Sequence, residues 1–343
     1  MALTPIRRVV TGNDDRGKSK VVWDGPSPGV HESAVPCNGA IDCWVWRETP
    51  PPLAGDDDSA RWDYEFPGPP GGGHLRVMNW LAHASDRSKV PPLVPPHAPK
   101  AAPGGRAWNR GGGNDFDRTA MHKTQSVDYG IMLAGERIIE LDDCKLVVKP
   151  GDIVVQVGAW HLWDSSKMGC LMAFDMIAAQ FVDGPAGTAQ GNDPVMRARP
   201  GFALQRMWVV DGAPAKIVFE TLHLPYTLEP PARGSVLNVV TFPPDVVWQG
   251  KVGAAEVAAW FKAIGSPGAS TYSPQAPHPY MQKTRTLDFC IVLEGEIVLV
   301  LDTQEVALKA GEILVQRGTN HAWSNRSGKP AMVAIAAHGA KSK

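Results

Sequence analysis

The sequence predicts an all-β chain of two tandem β-barrels or jelly rolls that arose by internal duplication. Residues 121–163 recur 160 positions later at 281–323, with 18 of 43 positions identical and no gap, and such self-similarity marks a repeated structural unit. Both copies consist of short strand-like runs joined by tight turns, which favours sandwiches and barrels. The chain contains no succession of βαβ units that would indicate a parallel sheet.

Length and composition limit the classes of function. The 343 residues suffice for two domains of ordinary size, and the 43% hydrophobic and 20% charged residues are a normal globular balance. The net charge is −1, and no basic stripe argues for nucleic acid or for an anionic membrane. No apolar run is long enough for a membrane span, and the N-terminus lacks the apolar region of a secretory signal. The five cysteines match no zinc pattern, which favours reduced thiols in a cytoplasmic protein.

The domain boundary is expected in the polar link at 183–200, which gives an N-terminal domain of residues 1–190 and a C-terminal domain of residues 191–343. A hairpin leading into the first domain is expected at 6–24. Further strands are expected at Cys43–Arg47, Leu75–Leu81, 168–180, Leu204–Val210, Lys216–Leu222 and Val236–Phe242. The Ala-rich, amphipathic run Gly253–Ala263 predicts the clearest helix of the chain.

Two long Pro/Gly-rich loops interrupt the first domain, at 50–73 and at 91–114. Long loops inside a compact domain are often functional covers. The second loop leads directly into the strand that carries His122, while the second copy has the predicted helix in the matching place. We therefore expect residues 91–114 to cover the mouth of a pocket.

Polar residues collect on one face of the strand that opens the first copy. Because side chains alternate along a strand, four of them share a side: His122, Thr124, Ser126 and Asp128. A face this polar needs a cavity, water or a metal to satisfy it. His161 follows a short turn, and a later strand of a small barrel brings it beside His122.

These residues resemble the two motifs of the cupin superfamily, and the duplication is similar to that of bicupins. The first motif, G-x5-H-x-H-x3,4-E-x6-G, corresponds to the run from His122 through Thr124 and Asp128 to Gly135. The second, G-x5-P-x-G-x2-H-x3-N, corresponds to 151–161 with a turn one residue shorter. A threonine replaces the second histidine and an aspartate replaces the glutamate, and the leading glycine and final asparagine are also absent. The resemblance implies double-stranded β-helix barrels and a metal site.

The resemblance carries over His122, His161 and Asp128 as metal ligands. Two imidazoles and a carboxylate are the set that suits non-haem Fe(II), and zinc, manganese or nickel also suit it. The second copy keeps Asp288 and His321 but has Gln282 in place of His122. Since glutamine is a poor ligand for iron or zinc, we expect one metal per chain, in the first barrel.

The resemblance implies an Fe(II) dioxygenase that oxidises a small phenolic or dicarbonyl compound. Thr124 and Ser126 would face this substrate together with Trp163, although the recurrence of Trp163 as Trp323 favours packing. Two alternatives stay open: an O2-independent metal-dependent lyase, isomerase or decarboxylase, and a binding protein that catalyses nothing. A homo-oligomer, as a dimer, is also expected because the strand faces opposite the ligands are apolar in both copies. The alternative is that the two barrels of one chain cover each other.

Overall fold

The structure, a computed structural model, describes residues 3–33, 38–80, 92–113, 118–165, 169–181, 197, 199–217 and 225–341. The described residues contain one α-helix, α1 (Ala254–Ala263), and many strands. In chain order the strands are β1 (Arg7–Asn13), β2 (Ser19–Pro26), β3 (Gly29–Glu32), β4 (Asn38–Trp46), β5 (Gly73–Trp80), β6 (Lys100–Ala101), β7 (Ala107–Asn109), β8 (His122–Thr124), β9 (Ser126–Ala134), β10 (Arg137–Glu140), β11 (Lys145–Val148), β12 (Ile153–Val157), β13 (Leu162–Ser165), β14 (Cys170–Phe181), β15 (Ala203–Val210), β16 (Ala215–Ile217), β17 (Ser235–Phe242), β18 (Thr286–Glu294), β19 (Glu296–Leu301), β20 (Glu305–Lys309), β21 (Ile313–Arg317), β22 (His321–Ser324) and β23 (Ala331–Gly339). The prediction of an all-β chain is confirmed.

Each half of the chain contains one large and one small sheet that face each other, and the first half contains a further small sheet of the order β6-β7-β8. In the first half the large sheet has the order β12-β9-β14-β5-β4-β3, with β16 added to β14, and the small sheet has the order β11-β10-β13. In the second half the orders are β15-β17-β23-β18-β21-β1-β2 and β20-β19-β22. Within each half the two sheets pack face to face over a shared apolar cluster. We call these units the first and the second barrel.

The N-terminal hairpin forms from β1 and β2 as expected, but it joins the second barrel rather than the first. Strand β1 runs parallel to β21, with Val10 opposite Val315. The exchange is mutual, since β16 runs parallel to β14 of the first barrel, with Ala215 opposite Ala179. Strand β1 lies between β21 and β2 and is buried on both faces. Its Val9 packs inside the second barrel, and its Val10 packs into the apolar cluster between the barrels. The predicted boundary between residues 190 and 191 lies outside the described residues.

The two barrels pack back to back through the outer faces of their large sheets. The apolar residues that suggested an oligomer meet here in one cluster, formed by Val127, Tyr129, Ile131 and Leu133 against Leu287, Phe289, Ile291 and Leu293. Polar contacts also cross the interface, among them Tyr129 Oη, which lies 2.9 Å from Ser235 Oγ, and His338 Nε2, which lies 2.9 Å from Asp175 Oδ2. Packing within one chain therefore accounts for these apolar faces, and the dimer stays a prediction.

Most of the other predicted elements are confirmed. The predicted strands appear as β4, β5, β14, β15 and β17, and the described part of the Lys216–Leu222 prediction is the end of β16. Helix α1 begins after Gly253, whose N–H donates to the Glu256 carboxylate at 2.9 Å. The helix buries Val257, Trp260 and Phe261 against the second barrel.

Four cysteines are free thiols: Cys43, Cys144, Cys170 and Cys290. Cys37 lies outside the described residues. In the part of the chain that the structure describes, no helix combines the length and the hydrophobicity that a membrane crossing requires.

Candidate metal centre

Two histidines lie side by side at the end of the first barrel. The backbones of His122 and His161 pair, since the His122 N–H donates to the His161 carbonyl at 2.8 Å and the His161 N–H donates back at 2.9 Å. Their rings are 4.3 Å apart between centroids. The sequence prediction that a later strand brings His161 beside His122 is thus met by a two-way backbone bridge.

Both imidazoles are held in one orientation by their Nδ1 atoms. Nδ1 of His122 donates to the Ala120 carbonyl at 2.7 Å, and Nδ1 of His161 donates to the Ala159 carbonyl at 2.9 Å. The turn that offers the second carbonyl depends on Gly158, whose φ of 69° favours glycine. With a proton on Nδ1, each ring keeps the lone pair of Nε2 for a ligand.

Burial keeps the two rings neutral. It lowers the pKa of His122. Burial, together with the adjacent His122 ring, lowers the pKa of His161 to about 3. A neutral imidazole is the form that coordinates a metal, so no deprotonation is needed at neutral pH.

The histidines line a cavity of ≈ 340 Å³ inside the first barrel. Seven of its sixteen lining residues carry large aromatic or thioether side chains: Tyr64, Phe66, Met78, Trp80, Trp163, Phe174 and Met176. Its one guanidinium, Arg76, makes a two-point ion pair with the buried Asp42, at 2.5 and 2.9 Å. The cavity is therefore suited to a flat, largely apolar molecule with no full charge.

Asp128 lies on β9 between Gln156 of β12 and Met176 of β14. It is 4% exposed, and its Oδ1 has no hydrogen-bond partner among the described residues. Burial, with a contribution from Asp175, raises its pKa to about 7, although a hydrogen bond from Ser126 opposes this. Among the described residues no three His, Cys, Asp or Glu side chains are close enough to hold a metal. The role of Asp128 as third ligand therefore stays a prediction.

The three predicted substrate contacts differ in their positions. Thr124 and Trp163 line the cavity. Trp163 also packs against Phe174, with ring centroids 5.6 Å apart, so it serves both packing and the wall. Ser126 is not among the lining side chains, and its Oγ lies 2.7 Å from Thr124 Oγ1. Ser126 therefore supports two neighbouring side chains, Thr124 and Asp128, through hydrogen bonds.

The cover of the cavity comes from the loop at 50–73 and not from the loop at 91–114. Tyr64 and Phe66 of the first loop lie in the cavity wall, whereas residues 92–113 contribute no lining side chain. The predicted cover instead forms β6 and β7, and β7 pairs with β8, which carries His122. The loop at 91–114 thus contributes two strands to a small sheet, β6-β7-β8, whose third strand carries His122.

The loop at 50–73, which we call the cover loop, is bonded to the second barrel. Arg8 of β1 makes a two-point ion pair with Asp58 at 2.6 and 2.7 Å. Arg317 of β21 donates to the Gly55 carbonyl at 3.0 Å. On the other side, the Arg76 guanidinium stacks over the Tyr64 ring at 4.2 Å. The loop is thus a fixed wall, held from both barrels.

Several lining residues were not predicted from the sequence, and two of them, His74 and Gln156, carry polar atoms without partners among the described residues. The alternation in β5 turns His74, Arg76, Met78 and Trp80 to the same side. Gln156 recurs as Gln316 in the second copy, which favours a structural role. Comparing strands outside the strongest repeat, where the offset is 162 and not 160, would have shown that His74 has no counterpart histidine.

The second barrel repeats the backbone arrangement of the site, but a side-chain hydrogen bond occupies the nitrogen that corresponds to a ligand atom. Gln282 and His321 exchange backbone hydrogen bonds at 2.7 and 2.9 Å, as the two histidines of the first barrel do. Nδ1 of His321 donates to the Thr319 carbonyl, and its Nε2 accepts from the Gln282 amide at 3.2 Å. The nitrogen that corresponds to a ligand is therefore already hydrogen-bonded.

The Cupin_2 family, described as a cupin domain, matches residues 268–337. Residues 268–337 are thus similar to a cupin domain. The central strands of the first barrel, β12-β9-β14-β5-β4, repeat the order of β21-β18-β23-β17-β15 in the second. The expected resemblance to the cupin superfamily is therefore confirmed.

Curated relatives match short segments. The chain is 56% identical over 48 residues to "Phomopsin biosynthesis cluster protein C'" of Diaporthe leptostromiformis, which covers 14% of this chain and 25% of that protein. It is 48% identical over 50 residues to "Oryzines biosynthesis cluster protein J" of Aspergillus oryzae, which covers 14% and 28%. The chain thus spans about a quarter of the length of these relatives.

Solved structures show distant likenesses. Protein Ylba of E. coli is 9% identical, with a TM-score of 0.41 over 92% of this chain and 87% of that one. Lactobacillus farciminis oxalate decarboxylase, in a formate complex, is 10% identical, with a TM-score of 0.34 over 78% and 77%.

Proposed function

We propose that this chain is a metal-dependent enzyme whose single metal is held in the first barrel by His122 and His161. The observation that carries the proposal is the pair of neutral, oriented imidazoles at the wall of an aromatic cavity. The donor set fits a divalent transition metal, which prefers imidazole nitrogen. Asp128 is the candidate third ligand, since it lines the same cavity and its buried Oδ1 has no hydrogen-bond partner among the described residues.

The finer proposal is an Fe(II) dioxygenase that acts on a small phenolic or dicarbonyl compound in the cytoplasm. A bound metal would supply Lewis acidity and a place for two oxygen-bearing reactants side by side. The chain itself supplies the rest. The aromatic wall excludes water and orients a flat substrate, and Tyr64 and Phe66 close the cavity. The names of the partial relatives support a role in the biosynthesis of a small molecule.

Metal analysis of the purified protein tests the site. We expect close to one ion per chain. His161→Ala is expected to abolish binding, whereas His321→Ala, the matched change in the second barrel, leaves the content unchanged. Two ions per chain would contradict the asymmetry between the barrels, and none after reconstitution with Fe(II), Zn(II) and Mn(II) would contradict the metal itself.

Oxygen uptake tests the reaction class. The iron-loaded protein is expected to consume O2 with a panel of phenols and β-dicarbonyls, and the His161→Ala protein is not. Substrate loss that continues at the same rate without O2 would replace the dioxygenase with the lyase, isomerase or decarboxylase alternative. Binding without turnover under either condition would leave a non-catalytic binding protein.

A further inference from the structure

A row of side chains crosses the large sheet of the first barrel and faces the cavity. Strand register places four residues side by side on β5, β14, β9 and β12: His74, Met176, Asp128 and Gln156. All four line the cavity. The two ends of the row, His74 and Gln156, are three strand spacings apart, about 14 Å along the sheet. The row therefore offers two separated polar groups at its ends, with Met176 and the carboxyl of Asp128 between them.

Both ends of the row carry polar atoms that have no hydrogen-bond partner among the described residues. His74 is 1% exposed and Gln156 is 6% exposed. In the part of the chain that the structure describes, the two ring nitrogens of His74 have no hydrogen-bond partner. The same is true of Nε2 of Gln156. Leaving a buried polar group unpaired costs free energy, and such groups call for a ligand or another specific explanation.

The second barrel shows the same row without this feature. Register places Val236, Ala337, Asp288 and Gln316 on the matching strands. Valine thus stands in the place of His74. Gln316 is hydrogen-bonded, since its Oε1 accepts from Thr11 at 3.0 Å and its Nε2 donates to the Thr319 carbonyl at 3.3 Å. The aspartate and the glutamine are common to both barrels, but the unpaired ends occur where the cavity is.

We infer that His74 and Gln156 bind the two oxygen groups of the substrate: a hydroxyl at His74 and a carbonyl at Gln156, on opposite sides of a flat conjugated ring. A neutral imidazole has one donor and one acceptor and so matches a hydroxyl, while the amide N–H of Gln156 matches a carbonyl oxygen. The guanidinium of Arg76 is already paired with Asp42, so the ligand carries no full negative charge. This inference rests on the proposed function and narrows its substrate class to neutral hydroxyaryl ketones and related compounds.

Calorimetric titration with 4-hydroxyacetophenone and acetophenone, which differ by one hydroxyl, tests the inference. The wild-type protein is expected to bind the hydroxylated probe about 5–30-fold more tightly, the effect of one hydrogen bond between otherwise buried groups. His74→Val, which installs the residue of the second barrel, is expected to remove this preference, and His74→Gln to restore part of it. Gln156→Leu is expected to weaken both probes by a similar factor.

Two measurements separate this inference from the metal proposal. The metal content of the His74→Val protein is expected to equal that of the wild type. The preference for the hydroxyl is expected to persist in a His122→Gln background, since neither end of the row is a proposed ligand. The inference is overturned if the wild type binds neither probe, if His74→Val keeps the preference, or if His74→Val lowers the Tm by more than a few degrees, which would mark His74 as a packing residue.

Discussion

Asp288→Asn is expected to stabilise the protein at alkaline pH and to have little effect in acid. Asp288 is the second-barrel counterpart of Asp128 and is 7% exposed. Its Oδ1 has no partner among the described residues, and Thr286 supplies a hydrogen bond to the carboxyl. Burial dominates and raises its pKa from the ordinary value of 3.8 to about 7. The folded protein therefore prefers the carboxyl in its neutral form.

The sign of the effect follows from proton linkage. Between pH 4 and pH 7 the folded state binds a proton at Asp288 that the unfolded state has released, so the free energy of unfolding falls as the pH rises. The stability is fully present below pH 4 and is lost as the pH passes through 7. The separation of the two pKa values corresponds to about 4 kcal/mol at most. Asparagine has the same shape and no charge, so the variant escapes this loss.

Urea unfolding of both proteins at pH 4, 6 and 8 measures the effect. The difference in the free energy of unfolding between variant and wild type is expected to grow with pH by about 1–4 kcal/mol. Asp302→Asn is the matched control of opposite sign, since hydrogen bonds from Ser19 and Asn320 outweigh burial and lower the pKa of Asp302. That variant is expected to be destabilised at pH 8 and less so at pH 4. If the difference in the free energy of unfolding between Asp288→Asn and the wild type does not change with pH, the reasoning is refuted.

Three further outcomes are expected. Asp58→Asn leaves the buried Arg8 guanidinium without its ion pair, so it is expected to lower the free energy of unfolding by about 3 kcal/mol. The same variant is expected to bind 4-hydroxyacetophenone several-fold more weakly. Unchanged affinity would show that the position of the cover loop does not depend on this pair. Asp175→Ala removes the partner of His338 between the barrels and is expected to lower the free energy of unfolding by about 1–3 kcal/mol, measured in urea. A neutral result would mean that this pair does not stabilise the contact between the barrels. Light scattering is expected to give a dimer, and a mass near the single-chain value of 36.9 kDa would remove that prediction.

The repeat made most of the fold predictable. The gapless repeat aligned the strands from β9 to β13 with those from β18 to β22, because a strand order that satisfies one copy satisfies both. The same alignment located the pair of His122 and His161, since the backbone bridge between them recurs at Gln282 and His321. The closed second site followed from a single difference, the glutamine at position 282.

The remainder depended on contacts that local patterns do not contain. The hairpin of β1 and β2 has an ordinary strand pattern, and nothing in it shows that its partner is β21, some 300 residues away. The loop at 50–73 and the loop at 91–114 have similar compositions, so composition did not distinguish the wall of the cavity from a small sheet behind it. His74 lies outside the strongly repeated segment, and its inward direction became visible when register placed it beside Met176 and Asp128.

The two barrels differ in their side chains at corresponding positions of the repeated unit, and the proposed function gives them different roles. The first kept the open histidine pair and the polar row. The second has Gln282 and Val236 at the corresponding positions, and its aromatic core is packed. What the second barrel supplies is support: Arg8 on its added strand and Arg317 on β21 hold Asp58 and the Gly55 carbonyl of the cover loop. An enzyme that binds a flat substrate needs a wall that stays in place, and a loop of this length does not provide one without anchors. In the proposed function, the second barrel therefore serves as the frame on which the cavity of the first barrel is closed.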